Sequence, residues 1–305
     1  MTPPATGEPP GARAAAGEPP GVELAAGDRL ALAAITFDFG NTLVQVDRAG
    51  LRGVLDRTAE ALVRRGSVAD GDAFRRAWAV ERDRQFRLEV PRLREVDLTE
   101  RVRHVLAGLR GVPIPPSDDQ PWDEAEVEPR VNRDEVAAAV ETYSDAFVDV
   151  MLPLPDADPV LRAAAERGFR LGILSNWPLA RTIDRYVDAH GWRPMLTAVV
   201  VSQTVGVIKP HPAIFAAAAA ALDATPPALL HVGDDWAADV VGAHRAGWRI
   251  AYLRGHQGDT PLPTSEPDTT MRPDLELDRL AELLPHLAPI ARRLGNPRLR
   301  PDGVS

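Results

Sequence analysis

Five short apolar runs recur along the chain: Leu32 to Phe37, Phe169 to Leu174, Thr197 to Val201, Ala228 to Val232 and Arg249 to Leu253. Each has the length of a strand, is rich in Val, Ile and Leu, and lacks clean alternation. That is how a strand covered on both faces reads. Helical periodicity separates the later runs, at Pro159 to Glu166, Ala180 to His190, Ala213 to Leu222 and Ala237 to Ala246. Strand alternating with helix predicts βαβ units, hence an α/β fold with a Rossmann-like parallel sheet. Residues 48–152 break this rhythm. They contain no convincing strand but carry amphipathic stretches at Leu51 to Arg65, Ala73 to Leu88, Leu98 to Leu109 and Val136 to Val148. A Pro-rich acidic loop, Pro113 to Pro129, interrupts them. The expected organisation is a core of residues 29–47 and 153–290 with an α-helical domain, 48–152, inserted after the first strand. Open α/β sheets bind ligands at the carboxyl ends of their strands, so an insert leaving from that edge is placed to roof the site.

The 305 residues suffice for a sizeable core and about two domains. Residues 1–28 are dominated by Pro, Gly, Ala and Glu, with Gly-Glu-Pro-Pro-Gly at 7–11 and again at 17–21. Such a composition cannot bury apolar area, so this tail is expected to be disordered, and 291–305 to be loose. A net charge of −9 argues against nucleic acid as a partner. The absence of cysteine excludes disulfides, thiolate zinc sites and cysteine nucleophiles. No run reaches the roughly 18 apolar residues of a membrane span, and no basic stretch precedes an apolar one at the N-terminus. A cytoplasmic protein with no membrane partner is expected.

One compositional feature changes this picture. Of 35 basic residues, only Lys209 is a lysine. Arginine replaces lysine freely on a solvated surface, but not where a compact ammonium must meet a phosphate or carboxylate. Lys209 lies in Gly206-Val-Ile-Lys-Pro-His-Pro212, a loop after a strand-like run. Three further features fall at predicted strand ends: Asp38, followed by Gly40-Asn41-Thr42; Ser175-Asn176; and Gly233-Asp234-Asp235, with Asp239 four residues on. A carboxylate, a hydroxyl beside backbone amides, an ammonium and an acidic turn would all face one crevice. Taken singly, each has a structural alternative. Asp38 or Ser175 could cap a helix, the Asp234–Asp235 pair could be a solvated turn, and Lys209 a surface charge.

Together, in this order and on these elements, the four features resemble the haloacid dehalogenase-like superfamily. The likeness covers Leu32 to Leu43 and Leu154 to Leu253, a little over one third of the chain. The helical insert sits where the branch containing haloacid dehalogenases and many small-molecule phosphatases carries its cap. The resemblance implies that Asp38 is a nucleophile forming an aspartyl-phosphate. Lys209 would neutralise carboxylate and phosphoryl group together, and Ser175 would donate to a phosphoryl oxygen, helped by the Asn176 amide. It further implies a Mg²⁺ ion held by Asp38, the Gly40 carbonyl and Asp234. Asp239 or Asp235 would bond metal-bound water or Lys209, and Thr42 would lie within reach of the phosphoryl group. The implied partner is a small phosphorylated metabolite.

One position departs from the pattern. Phosphatases of this family usually carry an Asp two residues after the nucleophile as general acid and base, and here Gly40 stands there. Three readings stay open: a phosphatase acting on a good leaving group, a 2-haloacid dehalogenase, and a non-catalytic binder of phosphorylated ligands. The acidic turn at Asp234 looks built for a cation, which a dehalogenase does not need. Among lesser candidates, His211 reads as a helix cap, and Trp177 and Trp236 as either core or substrate-stacking rings. Arg82, Arg84 and Arg87, interleaved with Glu81 and Asp83, read as a solvated helix face before an anion clamp.

Overall fold

A computed structural model describes residues 32–254, 265, 267–268 and 271–288. The segments 1–28 and 291–305, expected to be disordered or loose, lie outside the described residues. Six parallel strands form one sheet: β1 Ala34–Phe37, β2 Arg170–Ser175, β3 Leu196–Val201, β4 Leu229–Gly233, β5 Arg249–Leu253 and β6 Leu275–Leu277. Their order is β3-β2-β1-β4-β5-β6, with β1 central. Phe37 pairs with Ile173 on one side and Val232 on the other. The carboxyl ends of β1, β2 and β4 therefore finish side by side, which places Asp38, Ser175 and Asp234 on one edge. Ile35, Phe37, Leu171, Ile173, Leu230 and Val232 are fully buried, as expected for a sheet covered on both faces.

The helices are α1 Arg48–Arg64, α2 Gly71–Glu89, α3 Leu98–Leu109, α4 Glu124–Val127, α5 Arg133–Val150, α6 Ala157–Glu166, α7 Ala180–Ala189, α8 Ser202–Val205, α9 Pro212–Ala221 and α10 Gly242–Arg245. The first six lie between β1 and β2, and the first five of these, α1 to α5, fall within 48–152, where no strand joins the sheet. Three of them begin two or three residues before the apolar periodicity does, because polar caps upstream set their starts. Asp47, Asp70 and Asn132 each accept a backbone N–H of the first turn. Such a cap contributes about 1 kcal/mol.

Two sequence expectations are revised. The stretch Ala237 to Ala246 is not one helix but a wide π-type turn, Trp236–Val241, running into α10. The strand β6 escaped notice because it is only three residues long, with Leu275 and Leu277 buried and Glu276 exposed between them. No helix among the described residues is long and apolar enough to cross a membrane.

Candidate active site

The chain turns sharply after β1. Asn41 takes a left-handed conformation (φ 57°), which asparagine tolerates better than most residues. Its N–H donates to Val44 O at 2.7 Å, and its Oδ1 accepts from Val46 N at 3.1 Å. This closed turn carries Gly40 and aims Thr42 inward, where its hydroxyl donates to Asp234 Oδ1 at 3.3 Å. Phe39, fully buried, wedges between Phe147 of α5, Trp177 and Tyr186, with ring centroids 5.3–6.2 Å apart. The neighbour of Asp38 is thereby fixed by packing.

Lys209 sits at the centre. Its backbone is clamped by Asn176: Lys209 N donates to Asn176 Oδ1 at 2.6 Å, and Asn176 Nδ2 donates to Lys209 O at 3.1 Å. Its ammonium donates to Asp38 Oδ1 at 2.8 Å, Asp239 Oδ1 at 2.6 Å and Leu174 O at 2.9 Å. All three protons of the ammonium are used. Burial by itself would depress this lysine, but Asp239 and Asp38 outweigh it and hold the group above its usual range, so it stays charged. The Lys209 and Asp239 side chains are 2% exposed and Asp38 is 14% exposed. Asp38 is thus the member of this ion cluster that an incoming group can reach.

Asp239 is saturated by donors. Oδ1 accepts from Lys209 and from His231 Nε2 at 2.9 Å, and Oδ2 accepts from Asp235 N at 2.9 Å. Burial would raise its carboxyl, yet Lys209 and the His231 bond hold it well below the usual carboxylate range. Because the Asp239 carboxylate accepts, His231 donates to it from Nε2, and its Nδ1 lies 2.8 Å from Thr36 Oγ1. The Asp239 carboxylate also lies where a side chain on Gly233 would be, so a β-carbon there would collide with Asp239 Cγ and Oδ2. Gly233→Ala is therefore expected to displace Asp239. It should cost about 1–3 kcal/mol of stability and loosen Lys209, read as a lower Tm with a disproportionate fall in kcat.

Asp38, Asp234 and Asp239 offer ligand oxygens within 4.8 Å of one another. Burial, followed by the charges of Asp38 and Asp239, raises the Asp234 carboxyl well above its ordinary value. Asp38 is raised too, chiefly by burial and against the pull of Lys209. One ammonium does not compensate three carboxylates, two of them buried. An all-oxygen donor set whose members favour a bound positive charge suits a hard divalent cation.

Of the residues singled out from sequence, Asp38, Thr42, Ser175, Lys209, Asp234 and Asp239 converge here, with Gly40 in the same turn. One is placed differently from expectation, and the side chain of another has a task of its own. Asp235 turns its carboxylate away, capping Ala238 N at 2.6 Å and accepting from Ser265 Oγ at 3.0 Å, so Asp239 and not Asp235 serves Lys209. The Asn176 side chain belongs to the Lys209 clamp, which leaves only its backbone amide for an anion. Trp177 and Trp236 are buried, so neither presents a face to a substrate. His211 caps α9 through Nδ1 to Ala213 N at 3.2 Å. Arg82 and Arg87 form exposed pairs with Asp83 and Asp118, but Arg84 is buried against Glu81 and Gln120 O and is not part of a solvated face. In the sequence, His231 and Thr36 give no sign of a role here, because a polar residue within an apolar run reads as core.

Comparison with known proteins agrees with this architecture. A glyceraldehyde 3-phosphate phosphatase of Methanopyrus kandleri is 33% identical over 168 residues, 55% of this chain and 69% of that protein. A phosphoserine phosphatase of Thermus thermophilus is 32% identical over 129 residues, 42% of this chain and 49% of its own length. A solved 2-haloacid dehalogenase from Pseudomonas syringae matches in fold with a TM-score of 0.58 at 20% identity, over 83% of this chain and 96% of that one. The family model for haloacid dehalogenase-like hydrolases matches residues 32–247, which take in β1 to β4 and the helices inserted after β1, and the chain belongs to that family of hydrolases.

Proposed function

We propose that this hydrolase is a Mg²⁺-dependent phosphatase of small phosphorylated metabolites, with Asp38 as nucleophile. The observation that carries the reading is the placement of Asp38 as the accessible carboxylate of a cluster whose other members are the buried Lys209 ammonium, Asp239 and Asp234. Curated relatives that are phosphatases support it from sequence.

An Asp38 carboxylate oxygen attacks phosphorus, the ester oxygen leaves with the bonding pair, and an aspartyl-phosphate forms. Water then attacks that phosphorus, breaking the acyl–phosphate bond to release inorganic phosphate and regenerate the carboxylate, while solvent takes up the water's proton and protonates the departed ester oxygen. Two anions meet in the first step, so Lys209 acts by lowering the repulsion between Asp38 and the phosphoryl oxygens. Ser175, at the end of β2, and the Asn176 amide would receive a phosphoryl oxygen. Asp38, Asp234 and the Gly40 carbonyl would hold the Mg²⁺, which when bound supplies further charge neutralisation. The chain places no carboxyl at position 40 to protonate the leaving oxygen, a contribution of roughly 10²–10⁴-fold elsewhere. Substrates with good leaving groups, such as aryl or anomeric phosphates, should therefore outrun simple alkyl phosphates.

The test is phosphate release across a phosphoester panel, with Mg²⁺ and after chelation. We expect Mg²⁺-dependent turnover that EDTA reduces at least ~100-fold and added Mg²⁺ restores. Halide release from 2-haloacids that ignores chelation would replace this reading with dehalogenation. Silence across the panel, with phosphoester binding retained, would leave a binding protein.

A further inference from the structure

Besides the packing of α5 on Phe39, Trp177 and Tyr186, the inserted helices meet the core through a short stretch between α2 and α3. Leu93 turns the chain with φ 52°, and its carbonyl accepts from Ile208 N at 3.1 Å. Arg94 pairs with Val207 in an antiparallel bridge, and Leu98 N donates to Pro178 O at 3.2 Å. These bonds land on the two loops that carry Lys209 and Ser175. Between them stands Glu95, whose Oε1 accepts from Val96 N at 2.9 Å and whose Oε2 bonds the hydroxyl of Ser202. Ser202 is fully buried at the end of β3, and its Oγ also accepts from Trp177 N at 2.8 Å. Trp177 lies two residues past Ser175.

We propose that Glu95 is a positioning residue through which the helical insert orders the phosphoryl-binding loop, its carboxyl fixing the Trp177 amide by way of Ser202. This use of the loop rests on the phosphatase reading above. The chemistry of the link tolerates either proton state, but not equally. As a neutral acid, Glu95 donates to Ser202 Oγ, and Ser202 passes its own proton toward Trp177 O at 3.4 Å. As a carboxylate it takes the Ser202 proton and brings an uncompensated charge into the contact between insert and core. No basic group lies within ion-pair distance of it among the described residues. The charges acting on it are Arg101 on α3, which lowers its carboxyl, and Asp97, which raises it.

Burial dominates and pushes Glu95 up from 4.5 to about 7 while the insert is seated. With the insert lifted the carboxyl regains its ordinary value, so seating favours the protonated form. The link is at full strength below about pH 4.5 and is lost as pH rises through about 7.

Hydrogen exchange on the full chain, corrected for intrinsic rates, tests this without requiring turnover. In Glu95→Ala and Ser202→Ala, peptides covering 93–98 and 175–179 should exchange roughly tenfold faster than in the parent, with β1 and β4 unchanged. For an aryl phosphate, KM should rise by more than kcat falls. Glu95→Gln keeps a neutral donor toward Ser202, so it should match the parent at pH 6 and abolish the parent's acceleration of exchange between pH 6 and 8. Unchanged exchange in both the Ala variants, or a Gln variant with the parent's pH response, overturns the proposal. A chain that shows these exchange effects but releases no phosphate would instead sink the phosphatase reading and leave the link standing.

Discussion

Asp38→Asn is expected to abolish turnover, by on the order of 10⁴-fold or more, while leaving the fold in place. The carboxamide is nearly isosteric with the carboxylate, and its oxygen would still accept from the Lys209 ammonium. What disappears is the nucleophile: an amide oxygen cannot form the acyl phosphate. The substitution also removes one of the negative charges crowding Asp234, whose raised carboxyl owes part of its shift to Asp38. Thermal unfolding should therefore hold or rise slightly even as activity vanishes. That combination separates a chemical role from a structural one. Trapping distinguishes it further, since radiolabelled substrate quenched in acid should leave phosphate on the parent chain and none on the variant. Retained turnover in the variant would remove Asp38 from the mechanism.

Much of this site was legible in the sequence because it obeys a simple rule. Polar residues that end an apolar strand must face the crevice, and Asp38, Ser175 and Asp234 each end one. The sheet itself was legible for the same reason, since five of its six strands are apolar runs flanked by turns. What escaped depends on approach distances that no local pattern carries. Asp235 and Asp239 look alike in sequence, and only the side-chain-free space over Gly233 and the wide turn at Trp236–Val241 decide that Asp239 folds back onto Lys209. His231 and Thr36 sit inside apolar runs, where a buried polar residue gives no sign of what it bonds. Glu95 lies between two helices without periodicity, and its significance appears only once Ser202, 107 residues away, is beside it. Neighbouring charges make Arg84 read as solvated in the sequence, whereas the 113–123 loop supplies Gln120 O as its partner.

Lys209→Arg should be nearly as damaging as loss of the nucleophile, although it conserves charge. The site offers one ammonium-sized space, 3% exposed, ringed by Asp38, Asp239 and the Leu174 carbonyl at 2.6–2.9 Å. Those three acceptors surround a point and match the three protons of an ammonium. A guanidinium is planar, longer, and projects its donors as a fork, so it cannot satisfy them without displacing Asp38 or Asp239. Overpacking of this kind costs about 1–3 kcal/mol, and misplacing the charge opposite the transferring phosphoryl group costs roughly a further 10²–10³ in rate. The expected result is a folded variant with lowered Tm, kcat reduced by about 10³-fold, and weakened binding of inorganic phosphate in the presence of Mg²⁺. Everywhere else in the chain arginine serves as the basic residue, so the comparison is unusually clean. If the variant keeps full activity, shape plays no part at this position and charge alone suffices. If it fails as described, the single lysine among 35 basic residues is there because only its geometry closes the ring around Asp38.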